Sequence, residues 1–209
     1  MRVIAVNGSA RKRGNTATLL ETALAPLREA GIECETIDLA GKDIRGCLAC
    51  RQCAEKKDGR CHGRKDFGNE VIAKLATADG IILGSPVYFA DVSTEMKALI
   101  DRAGYVSKNN GNSFARKVGA AVIAVRRAGA IHAFDTINHF FLIGEMIVVG
   151  SSYWNVGIGR ERGEVENDAE GMATMRRLGE NMAWLLARVA GAAGAERAAD
   201  GGRAAVAGG

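Results

Sequence analysis

No stretch of this chain is long and apolar enough to cross a bilayer: the longest apolar run, FFLIGEMIVVG, is broken by Glu145 and falls well short of the roughly 20 residues a spanning helix needs. The opening MRVIAVNGSA reads as a short β-type run entering glycine and a basic turn, not as a signal peptide, so a cytoplasmic protein is expected. Two nucleotide signatures are also missing. Five residues, not four, separate Gly8 from Gly14, and Asn15-Thr16 stands where a Walker A loop has its Lys-Ser/Thr pair. Gly157, Gly159 and Gly163 miss the G-x-G-x-x-G spacing and follow the loop after the last strand, so a dinucleotide Rossmann site is disfavoured. Only three histidines are present, and neither a Ser-His-Asp set nor a carboxylate pair emerges. His132 and His139, seven residues apart on one helix face, read as partly buried packing residues. Aromatics make up 5% of the chain and none interleaves its basic segment, so nucleic-acid binding is not expected.

What is present begins with length: 209 residues at 47% hydrophobic composition suffice for one substantial core. Apolar runs alternate with helix-period segments. Strands are expected at 2–6, 32–39, 80–84, 118–125 and 146–150, and helices at 15–30, 67–78, 94–104, 131–143 and 169–189. Five such pairs predict an open, doubly wound α/β domain with a five-stranded parallel sheet over residues 1–190. The Ala/Gly-rich stretch 191–209 has almost no large apolar side chain and is expected to be a mobile tail.

Four of the five cysteines fall within fifteen residues, Cys47, Cys50, Cys53 and Cys61, in a C-x2-C-x2-C-x7-C run within a loop, 45–66, after the second strand. Without a secretory signal, such clustering argues for metal ligation in a reducing compartment over disulfides. Three closely spaced thiolates and a fourth returning after a polar loop suit an iron-sulfur cluster. A closed zinc tetrahedron competes, and a loop of free thiols is the bland alternative. His62 is a spare ligand that four cysteines make unnecessary, and Cys34 is expected to be a buried filler. Residues 42–66 hold eight Lys/Arg against four acids, an excess equal to the chain's whole net charge of +4. A basic surround would stabilise an anionic cluster and offer an acidic electron carrier a docking face.

Two further loops point to a phosphorylated planar cofactor. Asn7 to Thr16 lead from the first strand into a helix, where free N–H groups and the positive dipole end favour a phosphate, with Ser9, Asn15 and Thr16 as added donors and Arg11 as charge. Ser9 and Asn15 as plain helix caps are the alternative. The third strand ends in Ser85-Pro86-Val87-Tyr88-Phe89, placed to meet a planar ring at the topological switch point of a 2-1-3-4-5 sheet.

The pairing of GSARKRGNT with SPVYFADVSTEMKALIDR resembles the flavodoxin-like NAD(P)H-dependent FMN reductase superfamily, whose loops read G-S-x-R-x-x-x-N-T and S-P-x-Y before a helix containing K-x-x-x-D-R. With the four-cysteine insert, the chain is more closely similar to the iron-sulfur flavoprotein subfamily. The resemblance implies FMN phosphate contacts at Ser9, Arg11, Asn15 and Thr16 and ring contacts at Pro86, Val87, Tyr88 and Phe89. It further implies a 4Fe-4S cluster on Cys47, Cys50, Cys53 and Cys61. The third flavin loop departs from the superfamily's glycine-rich form: Val125 to Ala130 carry Arg126, Arg127 and Gly129, and an arginine there would face the anionic reduced flavin or merely cap a strand. Tyr153 and Trp154 would wall a substrate pocket or pack the sheet end.

The resulting expectation is an FMN oxidoreductase reduced by NAD(P)H or a ferredoxin-like carrier. Its flavin splits electron pairs for the cluster, and a small-molecule donor or acceptor or an acidic redox protein is its partner. In the resembling family the cluster of one subunit lies near the FMN of another, which implies a homodimer or homotetramer. A cluster-free NAD(P)H-dependent FMN or quinone reductase, and a non-enzymatic redox carrier or sensor, are the rival readings.

Overall fold

The computed structural model describes residues 1–206, with side chains as far as residue 191. Its elements are β1 (Arg2–Asn7), α1 (Asn15–Glu29), β2 (Glu33–Asp38), α2 (Gln52–Lys56), α3 (Gly68–Thr77), β3 (Gly80–Pro86), α4 (Thr94–Asn109), β4 (Val118–Val125), α5 (Ala130–Ile143), β5 (Ile147–Val148), β6 (Val156–Ile158), a 3-10 turn at Glu164–Asn167, and α6 (Ala169–Val206). The sheet order is β2-β1-β3-β4-β5 with every pair parallel, the flavodoxin-like order in which the chain reverses direction between β1 and β3.

Alternation along the central strands divides the core. Ile4 and Val6 face a layer with α3, α4 and α5, whereas Val3 and Ala5 face α1 and α6. Both faces of β1 and β4 are covered, which is why these strands are continuous apolar runs. β2 lies at the edge, and its acids are paired: Glu35 accepts from Arg2 at 2.6 Å and from Lys74 at 2.5 Å. Cys34 on this strand is half-buried, not fully buried as expected.

Three features depart from the sequence expectation. The fifth strand position is split: β5 pairs with Val118 and Gly119, residues 149–155 leave the sheet, and β6 resumes beside Ile123 to Val125. Asn155 fills the break, its Nδ2 donating to Ala121 O at 3.0 Å and its carbonyl accepting from Ile123 N at 2.9 Å. α4 runs five residues past Gly104, because that glycine sits under the Phe140 ring and ends nothing. α6 continues beyond Val189 to Val206; the expected mobile tail falls on residues whose side chains, and for 207–209 the backbone as well, lie outside the described residues.

Candidate functional site

The carboxyl ends of β1, β2 and β3 are tied together by Asn7, which is fully buried. Its Nδ2 donates to Asp38 Oδ1 at 2.8 Å, its Oδ1 accepts from Ser9 N at 3.1 Å, and its carbonyl accepts from Leu39 N at 3.0 Å. Gly8 N bonds Gly84 O at 2.7 Å, pinning the turn to β3. The turn then folds on itself through Arg11 N to Ser9 Oγ (3.1 Å) and Gly14 N to Arg11 O (3.0 Å). Gly14 occupies the N-cap of α1 and supplies no side-chain acceptor, so the first N–H groups of this helix are left for an external anion.

Opposite this turn, the segment after β3 forms a tight hairpin. Val87 N donates to Ala124 O at 3.0 Å, and Tyr88 and Asp91 exchange bonds of 2.8 and 3.1 Å. Those N–H groups are therefore spent within the protein. At the hairpin tip, Phe89 and Ala90 have φ of 48° and 67°, and Phe89 is fully exposed. Such left-handed backbone costs about 1–2 kcal/mol at a non-glycine residue.

Between the two loops lies a cleft of about 240 Å³ lined by Ser9, Arg11, Gly14, Asn15, Thr16, Pro86, Val87, Tyr88, Ala124, Arg126, Gly159 and Arg160. The phosphate-turn residues and Pro86, Val87, Tyr88 and Arg126 thus meet as expected. Phe89, Arg127 and Gly129 do not line it. Phe89 points to solvent and Arg127 is exposed. Gly129, with φ of 85°, backs the hairpin: a Cβ there would lie 2.9 Å from Ala90 Cα. Sequence reasoning missed Gly159 and Arg160, which β6 delivers to the cleft. Their signal was the glycine pair Gly157 and Gly159, dismissed for its spacing; a Cβ on Gly157 would strike Leu19, and one on Gly159 would strike Val165 and Asn15, so both let β6 close on α1. Asn15 has a second duty, its Oδ1 accepting from Gly163 N at 2.9 Å.

The donor set fits FMN. An uncapped helix start and Arg11 and Arg160 suit a phosphate, and Pro86, Val87 and Tyr88 supply an apolar wall with Arg126 across from it.

The cysteine loop hangs from two asparagines. Asn69 accepts from Cys61 N at 2.8 Å and donates to Cys61 O at 2.9 Å and Arg64 O at 3.0 Å. Asn110, just past α4, accepts from Gly59 N at 2.9 Å and donates to Cys53 O at 3.3 Å. Cys53, in the unforeseen short helix α2, is buried and packs into the core; Cys61 is half-buried, while Cys47 and Cys50 are exposed. Ala49 N donates to Cys47 Sγ at 3.4 Å, and Ala49, Arg51 and Lys57 are left-handed. Burial, followed by the proximity of Cys61, pushes the Cys53 thiol up. That is the opposite of an activated nucleophile. Among the described residues, no three His, Cys, Asp or Glu side chains stand close enough to hold one metal ion. By donor type, four free thiols in one loop suit a soft metal centre.

α4 starts beside the ring loop and, at 16 residues, is about 24 Å long, so the Asn110 clamp stands at the far end from the β1/β3 cleft. His132 and His139 are exposed, contrary to the packing role expected of them, and His62 bonds Asp58 at 2.9 Å. Tyr153 and Trp154 line a separate apolar depression with Phe134, not the β1/β3 cleft. No helix among the described residues is long and apolar enough to cross a membrane.

Residues 1–161 match the family model for NADPH-dependent FMN reductase. The chain is 42% identical over 193 residues to an iron-sulfur flavoprotein of Methanocaldococcus jannaschii, covering 89% of this chain and 97% of that protein. It is 30% identical over 188 residues to an iron-sulfur flavoprotein of Methanosarcina thermophila, covering 89% and 95%. Among solved structures, the flavodoxin-like, WrbA-like protein of Agrobacterium tumefaciens superposes with a TM-score of 0.60 at 16% identity, covering 90% and 97%, a likeness of fold. A cleft built on the β1 turn and the β3 loop, a sheet of flavodoxin order and relatives matched over nearly their whole length agree: the chain belongs to the NADPH-dependent FMN reductase family, in its iron-sulfur flavoprotein branch, and is a flavin oxidoreductase.

Proposed function

We propose that this flavoprotein holds FMN in the β1/β3 cleft and a 4Fe-4S cluster on Cys47, Cys50, Cys53 and Cys61, and moves electrons between a two-electron donor and a one-electron acceptor. The observation that carries this reading is the coexistence of the uncapped α1 start, in a cleft of flavin-binding form, with a four-thiol loop clamped to α3 and α4. When bound, FMN supplies the exchange between an electron pair and single electrons, and the cluster supplies a one-electron store.

The protein's own groups do the placing. The α1 N–H groups, Arg11 and Thr16 take the phosphate; Pro86, Val87 and Tyr88 set the ring plane; Arg126 offers positive charge where a reduced ring carries negative charge. Cys53 and Cys61, buried and half-buried, would be the fixed half of the ligand set, and Cys47 and Cys50 on the exposed limb would complete it. NAD(P)H is the donor consistent with the family, and the basic loop favours an acidic redox protein as acceptor. The cysteine loop meets α4 at Arg102 and is clamped at Asn110 past its end, whereas the cleft lies at the helix's start, an arrangement compatible with transfer between subunits of a homodimer or homotetramer. Exposed Ile131, Leu142, Ile143 and Trp154 on and beside α5 supply apolar surface for such association.

Anaerobic purification followed by iron, sulfide and flavin assays and a visible spectrum before and after NAD(P)H tests the reading. Stoichiometric FMN with a broad cluster absorbance that bleaches on reduction is expected. FMN reduced by NAD(P)H with no iron or sulfide would leave a simple flavin reductase, and zinc in their place would make the loop a structural site.

A further inference from the structure

Arg102, on α4, is one of the largest fully buried side chains in the protein, with its guanidinium at 0% exposure. One edge is fully engaged: Nη1 donates to both Asp66 oxygens at 2.6 and 2.7 Å and to Arg45 O at 3.2 Å. Asp66 is itself fixed by Arg45 N at 3.1 Å and Gly68 N at 3.0 Å. Gly68 leaves the space: a Cβ on it would lie 2.6 Å from Nη1. The other edge is idle. Among the described residues, Nε and Nη2 are buried and have no hydrogen-bond partner. Burial opposes the guanidinium's charge, but Asp66 and then Cys61 outweigh it and hold the pKa above its ordinary value, and Cys61 is tied by its own N–H and carbonyl to Asn69, the neighbour of Gly68.

Two buried N–H groups without acceptors cost about 1–3 kcal/mol each, and more on a charged group. Asp66 neutralises the charge without using those donors, so the ion pair alone does not explain them. Nη2 lies beside Gly68, 3.1 Å from where a Cβ on it would stand, and the next residue, Asn69, holds Cys61 by its N–H and carbonyl. We propose that the idle edge of Arg102 donates to the sulfur of a metal cluster held by Cys61 and its companion cysteines, making Arg102 a positioning residue that sets the cluster's reduction potential. The inference rests on the cluster assignment above. Hydrogen bonds and positive charge at cluster sulfur favour the reduced form, which carries one more negative charge, and so raise the potential.

Two measurements on the intact, cluster-loaded protein test it. In the first, guanidinium-15N-arginine is incorporated and the reduced cluster is examined by pulsed EPR. A resolved coupling to 15N that disappears in Arg102→Lys is expected, and no 15N coupling in the wild-type protein overturns the proposal. In the second, the variant R102Q/D66N, which removes both members of the ion pair and strands no charge, is titrated with visible and EPR detection. At unchanged iron content, the one-electron reduction of the cluster should become at least tenfold less favourable, about 59 mV lower, with the FMN potential unmoved. A cluster potential equal to wild type overturns the proposal, and if R102Q/D66N does not hold iron the 15N coupling alone decides. Absence of iron and sulfide from wild-type protein, even after anaerobic reconstitution, would instead refute the cluster assignment, which keeps the two failures distinct.

Discussion

The Gly163 N–H donates to Asn15 Oδ1 at 2.9 Å, joining residues 148 positions apart. The first residue of α1 therefore carries the turn after β6, and with it Arg160 at the mouth of the cleft. Asn15 and Arg11, both candidate phosphate residues, should then behave differently. Arg11→Ala should weaken FMN by about 1.5–3 kcal/mol, the worth of a hydrogen bond to a charged group, and leave riboflavin almost unchanged. Asn15→Ala should weaken both ligands, because it also frees the turn. Flavin-fluorescence titrations with the two ligands separate the cases, and equal loss of both on Arg11→Ala would move the phosphate elsewhere.

Cys50→Ser should remove most of the iron and leave FMN bound, since Cys50 lies on the exposed limb while the flavin cleft is built from other segments. Iron and flavin assays on the purified variant check this. Joint loss of both cofactors from a folded protein would show that the sites are not independent.

Much of this arrangement is legible in the sequence because its signals are local. The cysteine spacing, the G-S-x-R turn and the alternation of Val3 to Val6 each depend on a few consecutive residues. What sequence reasoning missed depends on distant partners. β6 is three residues long and becomes a strand only by pairing with Ile123 to Val125. α2 spans five residues between left-handed Arg51 and Lys57, below any helical period. Arg102 reads as part of a K-x-x-x-D-R helix motif, and nothing near it announces Asp66 or Cys61 as neighbours. Phe89 stands outside the cleft for a related reason: the bridge between Tyr88 and Asp91 makes it part of an exposed hairpin tip.

Asp66 gives a pH dependence with a definite sign. Burial alone would raise its pKa, but Arg102 and the N–H groups of Arg45 and Gly68 outweigh it and hold the carboxyl below its ordinary value. A depressed folded-state pKa contributes stability above the ordinary carboxylate range that is lost as pH falls through the folded value. Asp66→Asn should thus cost about 3–5 kcal/mol near neutrality, by stranding the Arg102 charge. The gap to wild type should close in acid, and urea denaturation at several pH values would show it. A gap independent of pH would mean that the carboxylate charge does not matter.

Replacing Lys56 and Lys57 with glutamate should slow electron transfer to an acidic protein acceptor more than to a small neutral quinone. Both lysines are exposed on the basic segment, whose field is screened over about 10 Å at 0.1 M salt. Stopped-flow rates at several ionic strengths check this, and a ferredoxin-like acceptor indifferent to both charge reversal and salt would end the docking idea.

α4 has one end in each site. Its N-cap, Ser93, donates its N–H to Ser85 Oγ at 2.9 Å at the root of the ring loop, and Arg102 and Asn110 meet the cysteine loop further along. A hydrogen-bonded helix is stiff along its axis, whereas the loops at its ends are not. The helix is therefore a strut that would carry an axial displacement from the ring loop to the cysteine loop. Amide exchange at Gly59 and Cys61 is where such a mechanical coupling between the two loops would register.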